Sequence, residues 1–286
     1  MGKLREQMKA DLVLRGFSVH TQRNYLRCVR EFAKHFKRSP AQMGEQEVRA
    51  FLLHLVQQRK VSAGLHSVYV SALKFFYRNT VKRPEVVEHI AHPKKPKLLP
   101  DVLTKQEVLA IFKATRSLKY KAIIATTYSA GLRISEVCTL RLTDINSKRM
   151  LIHIRCAKGN KDRYVMLSEQ VLVLLRQYYK GLRRRGIYLF CGQDPNRPIS
   201  TSAVHQVLKK AVKKAGLSKK VSMHSLRHCF ATHFLEAGGD IRVVQVLLGH
   251  ASIRTTVRYT RVSSQHLGRT QSPWDLLQCP EDPTEQ

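Results

Sequence analysis

The sequence predicts two domains, the first built wholly of helices and the second mixed, mainly α, with a small antiparallel sheet. Three observations carry this. Apolar residues recur at three- and four-residue steps through the first 90 residues. The stretch AHPKKPKLLP at 91–100, with three prolines, three lysines and no periodicity, then reads as an extended basic linker. Beyond it the helical pattern is broken by two short runs rich in Leu, Ile, Val and Tyr on either side of the turn-forming segment CAKGNKD. The expected organisation is a helical domain at 1–90, the linker at 91–100, a second domain at 101–270 and a tail at 271–286. The acidic end of that tail, PEDPTEQ, is expected to be partly disordered.

From Thr21 to Phe36, Tyr25, Val29, Phe32, Ala33 and Phe36 form one helical stripe, while Arg23, Arg27, Arg30 and Lys34 occupy the rest. Pro40 ends that unit. Val48, Phe51, Leu52 and Leu55 predict a helix over 45–58, and Ser62 caps another running toward Tyr77. After the linker, Thr104 and Glu107 have the spacing of a capping box, in which each side chain satisfies the other's backbone N–H. A second apolar helix covers about 120–130 and stops at Gly131. Arg133 stands at the following turn, before the pattern Ile134, Val137, Cys138. The runs 151–155 and 163–167 predict a hairpin whose loop carries Lys158, with Lys161 competing for the same role. Helices are expected to resume at 168–184, 201–215, 224–237, 240–248 and 252–259.

The 286 residues hold 51 Lys and Arg against 20 Asp and Glu, a formal charge of +31. A charge this large repels itself unless an anionic partner covers it, which points to nucleic acid or an acidic membrane surface. The first 98 residues hold 20 basic and 7 acidic side chains, so the excess is not confined to a detachable tail. No run of about 18 apolar residues and no signal-peptide pattern is present, and a cytoplasmic, nucleoid-associated protein with no membrane partner is expected. Cys28, Cys138, Cys156, Cys191, Cys229 and Cys279 form no CxxC pair and read as reduced, mostly buried thiols.

The chemistry-bearing residues are Arg133, Lys158, His224, Arg227, His250 and Tyr259. Two guanidiniums can neutralise the non-bridging oxygens of a pentavalent phosphate by charge-assisted hydrogen bonds. A phenol, with pKa about 10, attacks phosphorus only if a base accepts its proton, and the departing 5′ oxygen must receive one. A histidine suits the first task and a lysine the second. On a helix starting near Met223, His224 and Arg227 are three apart and share a face in the first turn, where backbone N–H groups also favour phosphate.

Each of these has a plainer reading. Tyr259 can simply pack a helix edge, and His228 reads as a structural hydrogen-bonding histidine. A zinc site from His224, His228 and His233 is opposed by the four- and five-residue steps, which leave His233 off the shared face, and no metal is expected. Glu136 can form a helical salt bridge with Arg133 or orient a neighbouring donor. Arg242 and Arg254 read as backbone-phosphate contacts, as do Arg23 and Arg27, the linker lysines Lys94, Lys95 and Lys97, and Lys161. Arg183, Arg184 and Arg185 are most simply a solvated surface, with DNA contact as the sharper option.

The pattern resembles the tyrosine recombinases, or phage-integrase family, and especially its short Xer-like and mobile-element members. The matching segments are YSAGLRISEVCTLRLTDI around Arg133, CAKGNKDRYVML around Lys158, and MHSLRHCFATHFLEAGGDIRVVQVLLGHASIRTTVRYTRV from His224 through Tyr259, with TQRNYLRCVREF in the first domain. The resemblance implies a two-domain DNA clamp: a SAM-like helical core-binding domain and a catalytic domain gripping opposite faces of duplex DNA. It further implies that Arg133 and Arg227 are the catalytic arginines, Lys158 the hairpin lysine and general acid, and His224 the group that manages the tyrosine proton. His250 then occupies the position filled in relatives by His or Trp, Glu136 the acidic supporting position, and Tyr259 that of the nucleophile. The implied reaction is metal-free, passes through a 3′-phosphotyrosyl link at specific recombination sites, and requires neither ATP nor another cofactor. The implied partner besides DNA is a second copy, with a homotetramer in the synapse, a monomer in solution and room for an accessory recombinase. A type IB topoisomerase shares the nucleophile but rejoins the original strand, and a non-catalytic DNA-binding protein needs only the charge. A mobile-element or plasmid recombinase is the leading role, with a host Xer-type resolvase next.

Overall fold

The computed structural model describes residues 2–94, 102–157, 161–182, 186–250 and 252–259. Two compact units are present, residues 1–97 and 98–286. Unit 1 contains α1 (Gly2–Leu14), α2 (Val19–Phe36), α3 (Glu45–Gln57) and α4 (Ala63–Phe75), which runs on into a π-helical stretch, Phe76–Thr80. Ser62, expected as an N-cap, accepts from the Leu65 amide, and Ser18, which the sequence reading passed over, accepts from the Thr21 amide at the start of α2. Phe32 sits at the centre, edge-on to Phe36, Phe51 and Tyr77, and the buried Tyr77 hydroxyl donates to the Pro40 carbonyl at 2.7 Å. The helix α1 has no counterpart in the sequence reading. It is anchored only by Met8 and Leu12 among its buried residues, too few to mark a stripe.

Unit 2 begins with α5 (Lys105–Ala114), where the Thr104–Glu107 capping box forms, followed by α6 (Leu118–Ala130) and the short α7 (Ile134–Cys138). A three-stranded antiparallel sheet comes next: β1 (Ile145–Asn146), β2 (Leu151–Ala157) and β3 (Lys161–Met166), in that order. The edge strand β1 is two residues long, too short to show alternation, and was not legible. The helices α8 (Glu169–Lys180), α9 (Thr201–Lys214), α10 (Met223–Glu236) and α11 (Ile241–Leu248) complete the unit. The helix α6 buries Ala122, Ile123, Ile124, Thr126, Thr127 and Ala130, covering most of its circumference, because it passes between α8 and α10.

Two sequence expectations need correction. The helix expected at 168–184 ends at Lys180, with Gly181 as its C-cap, and residues 183–185 lie outside the described residues. The helix expected over 252–259 is instead a pair of 3₁₀ turns, Ile253–Thr255 and Val257–Tyr259. The run Thr255, Thr256, Val257 explains this, since β-branched side chains crowd a continuing α-helix while single i→i+3 turns tolerate them. Among the described residues no helix is long and apolar enough to cross a membrane.

Candidate active site

Five of the sequence-predicted residues of unit 2, Arg133, Glu136, Arg227, His250 and Tyr259, are brought together by the ends of elements. Arg133 is the N-cap of α7, and Glu136 in that helix's first turn accepts both the Arg133 backbone N–H at 2.8 Å and its Nη1 at 2.7 Å. Arg227 lies one turn into α10 and is 1% exposed. Its guanidinium reaches the carbonyl of Gly131 through Nη1 at 2.7 Å and that of Leu248 through Nη2 at 2.5 Å. These carbonyls close the C-termini of α6 and α11, where the helix dipole is negative. Burial pushes the Arg227 pKa down, with Arg133 nearby adding to the effect, to about 10, which still leaves it charged at neutral pH.

Gly131 is the hinge of this arrangement. It adopts φ +63° to end α6, and a Cβ there would stand 2.4 Å from Cδ1 of Phe230 and 2.8 Å from Leu248. Only glycine meets both demands. Gly131→Ala is expected to lower stability by about 2–4 kcal/mol, combining the left-handed backbone cost with overpacking, as a chemical melt of the whole chain would show.

His250 follows Gly249, the left-handed C-cap of α11. Its Nδ1 is 3.0 Å from Thr256 Oγ1 and its Nε2 is 3.4 Å from Arg227 Nη2. Tyr259, 1% exposed, lies parallel to the His250 ring, with centroids 6.3 Å apart and planes inclined by 10°. The Tyr259 hydroxyl meets His228 Nδ1 at 2.7 Å. His224 is exposed at the start of α10, edge-on to His228 with centroids 4.2 Å apart.

Two residues were missed by sequence reasoning. Arg163 is 9% exposed and makes a two-pronged contact with Glu136: Nη1 to Oε1 at 2.9 Å and Nη2 to Oε2 at 2.8 Å. Its Nε donates to the Leu247 carbonyl at 2.8 Å. A signal was available. In β3 and the residue that follows it the buried positions are 163, 165 and 167, so an arginine sits where the alternation demands an apolar residue, and a buried partner must exist. Burial of Glu136 pushes its carboxyl up, yet the hydrogen bonds and charge of Arg163, with those of Arg133, outweigh this and hold it at about 2. The second is His228, read as structural, which the terminal turns bring onto the Tyr259 hydroxyl.

The remaining predicted residues are dispersed. His233 faces away from the pair His224 and His228, with its Nδ1 2.8 Å from the Tyr128 hydroxyl. Arg242 on α11 and Arg254 on the first terminal turn are exposed. In unit 1, Arg23, Arg27 and Lys94 are exposed, and Arg27 approaches Glu31 at 4.0 Å. Lys95, Lys97 and Lys158 lie outside the described residues. Lys161 opens β3, with its side chain outside them.

Comparison with known proteins follows the same division. The phage integrase family matches residues 101–266, and the phage integrase N-terminal SAM-like domain matches residues 4–85. A protein of Sinorhizobium fredii named as a candidate integrase/recombinase, y4qK, is 42% identical across 98% of this chain and 91% of its own length. Tyrosine recombinase XerA of Thermococcus kodakarensis is 35% identical, with 96% of this chain and 95% of the relative covered. The crystal structure of XerA recombinase aligns with a TM-score of 0.55 at 27% identity, over 95% of this chain and 99% of that one. A lambda integrase dimer bound to a COC′ core site shares the fold with a TM-score of 0.75 at 20% identity, over 95% and 98%.

Proposed function

The chain belongs to the phage integrase family of tyrosine recombinases, enzymes that break and rejoin DNA, and on that premise we propose a site-specific recombinase whose nucleophile is Tyr259. One observation carries the reading: the Tyr259 ring lies parallel to that of His250, which itself touches Arg227, and the phenol is near enough to act electrostatically on that buried guanidinium. Arg133 and Arg227 neutralise the non-bridging oxygens as the phosphorane forms, and Glu136 fixes Arg133 from behind. His224 donates to the same phosphate, and His250 holds its place beside Arg227. Lys158 is assigned the proton for the departing 5′ oxygen. Attack by the Tyr259 oxygen on phosphorus breaks the P–O5′ bond and leaves a 3′-phosphotyrosyl ester. A 5′-hydroxyl from a partner strand then displaces the tyrosine, so the bond energy stays in the ester and no nucleotide is consumed.

The substrate is duplex DNA carrying a specific site, and Arg23, Arg27, Lys94, Arg242 and Arg254 are assigned to its backbone phosphates. Exchange of two strands at a time needs four active sites, so the working assembly is a homotetramer. A lambda integrase tetramer bound to a Holliday junction has the same fold. The leading biological role is movement or resolution of a mobile element or plasmid, supported by the likeness to y4qK. A second reading, resolution of chromosome dimers, is favoured by the near end-to-end match with XerA.

Incubating the protein with sheared total DNA of its source, followed by denaturation and digestion, tests both levels. A DNA adduct on the peptide containing Tyr259, joined to a 3′-phosphate, is expected. An adduct on another residue or on 5′ ends overturns the assignment. Junctions at the ends of a mobile element support the first role, and a single chromosomal locus supports the second.

A further inference from the structure

We propose that His228 is a catalytic residue, the base that takes the Tyr259 proton as the phenolic oxygen bonds to phosphorus. The inference rests on Tyr259 being the nucleophile and deepens that reading. The geometry is that of a base already in place: Nδ1 to Oη is 2.7 Å, inside the range for direct proton transfer, with the rings tilted by 50°. Tyr259 is 1% exposed, so its hydroxyl meets protein groups rather than bulk solvent.

The other nearby imidazole is committed differently. Arginine only donates, so the 3.4 Å contact with Arg227 makes His250 Nε2 an acceptor and leaves the His250 proton on Nδ1, toward Thr256 Oγ1. His250 is thus arranged to hold position beside Arg227. His224, which the sequence reading gave the tyrosine proton, packs edge-on against His228 at 4.2 Å. The His228 ring nitrogen lies on the reacting oxygen. Its place on α10, one residue beyond Arg227, joins the base to the same helix that carries the phosphate-binding guanidinium.

A free phenol, with pKa about 10, is too weak an acid to give its proton outright to an imidazole of pKa about 6.5. The transfer therefore accompanies bond formation. As the Oη–P bond forms, the Oη–H bond breaks, Nδ1–H forms, and the P–O5′ bond breaks with a proton reaching O5′ from the general acid. In the second step the incoming 5′-hydroxyl gives its proton to the now deprotonated general acid as its O–P bond forms, the P–Oη bond breaks and the imidazolium returns its proton to Tyr259, so His228 acts as base and then as acid.

The test uses full-length protein and nicked duplexes bearing the protein's own cleavage junction, with single-turnover adduct formation at saturating DNA. His228→Asn keeps an amide that can hydrogen-bond Tyr259 but cannot accept a proton. Its cleavage is expected to fall at least 100-fold with DNA affinity within threefold. A second substrate carrying sulfur in place of the bridging 5′ oxygen needs no proton on its leaving group, so the defect is expected to persist on it. Rescue by sulfur would place His228 on the leaving-group side, and cleavage by His228→Asn within threefold of the parent would make it only a tether. Either result overturns the proposal. Should His228→Asn melt more than a few degrees below the parent, His228→Gln is measured against the same two thresholds. Tyr259→Phe, run in parallel, keeps the premises apart. An adduct surviving in that variant removes the nucleophile assignment itself, whereas its loss beside unimpaired His228→Asn removes only the role of His228.

Discussion

Arg163→Met is expected to destabilise the catalytic unit by about 3–5 kcal/mol, the cost of stripping one partner from a buried ion pair. Glu136 would keep Arg133, and Arg227 stands 3.8 Å away, but it would lose both prongs of its main partner while remaining buried. The double variant Glu136→Met, Arg163→Met is expected to regain most of that stability, since apolar side chains of similar volume replace a buried pair at little net cost. It should not regain cleavage, because Arg133 then has no carboxylate to fix its guanidinium. Equilibrium melts and adduct formation on all three proteins check this. Recovery of both properties in the double variant would show that the network serves the fold alone. The same carboxylate predicts an acid limb. Its pKa is lower in the folded chain, about 2 against 4.5, so its contribution is fully present above about pH 4.5. That contribution, about 3 kcal/mol, is lost as pH falls through the interval toward 2, and the loss should vanish in the double variant.

The contrast between Arg163 and Arg133 shows how far the sequence could be read. Arg133, His224, Arg227, His250 and Tyr259 stand within segments that resemble a known family, and the structure sets the last three in series, Arg227 touching His250 and the His250 ring lying parallel to Tyr259. Helix ends were legible where a cap residue declares them, as at Ser62, Thr104 and Gly131. What could not be read depends on distant partners. Arg163 is explained only when α7 places Glu136 under β3, and His228 only when the terminal turns return Tyr259 to α10. The two-residue strand β1 exists because β2 is there to pair with it, at Ile145 with Ile152 and Asn146 with Leu151. The terminal turns failed for a different reason. Their apolar spacing fits a helix, but the β-branched run Thr255, Thr256, Val257 outweighs it, and Thr256 is fully buried against His250 instead.

Arg227→Lys is expected to reduce cleavage by 10²–10³-fold while leaving DNA affinity within severalfold, although the formal charge is unchanged. The guanidinium is held from behind: one nitrogen is fixed by the last carbonyl of α11 and the other by the C-cap carbonyl of α6. Both anchors lie where helix dipoles favour a cation, which offsets the burial that pushes its pKa down. Five N–H groups in a rigid fork can meet these two carbonyls and still present hydrogens to a phosphate and to His250. An ammonium on a flexible stem cannot span both carbonyls and reach forward as well. One buried carbonyl would be left without a donor, costing about 1–3 kcal/mol in stability, and the lysine, more easily neutralised by burial, would lose charge that the arginine keeps. The division of effects is the informative part. On the proposed roles, exposed Arg242 and Arg254 bind backbone phosphates, so affinity survives, whereas the transition-state charge develops in front of Arg133 and Arg227. Cleavage by Arg227→Lys within tenfold of the parent, measured by single-turnover adduct formation, would show that a point charge suffices there and that the double-carbonyl anchor has no part in catalysis.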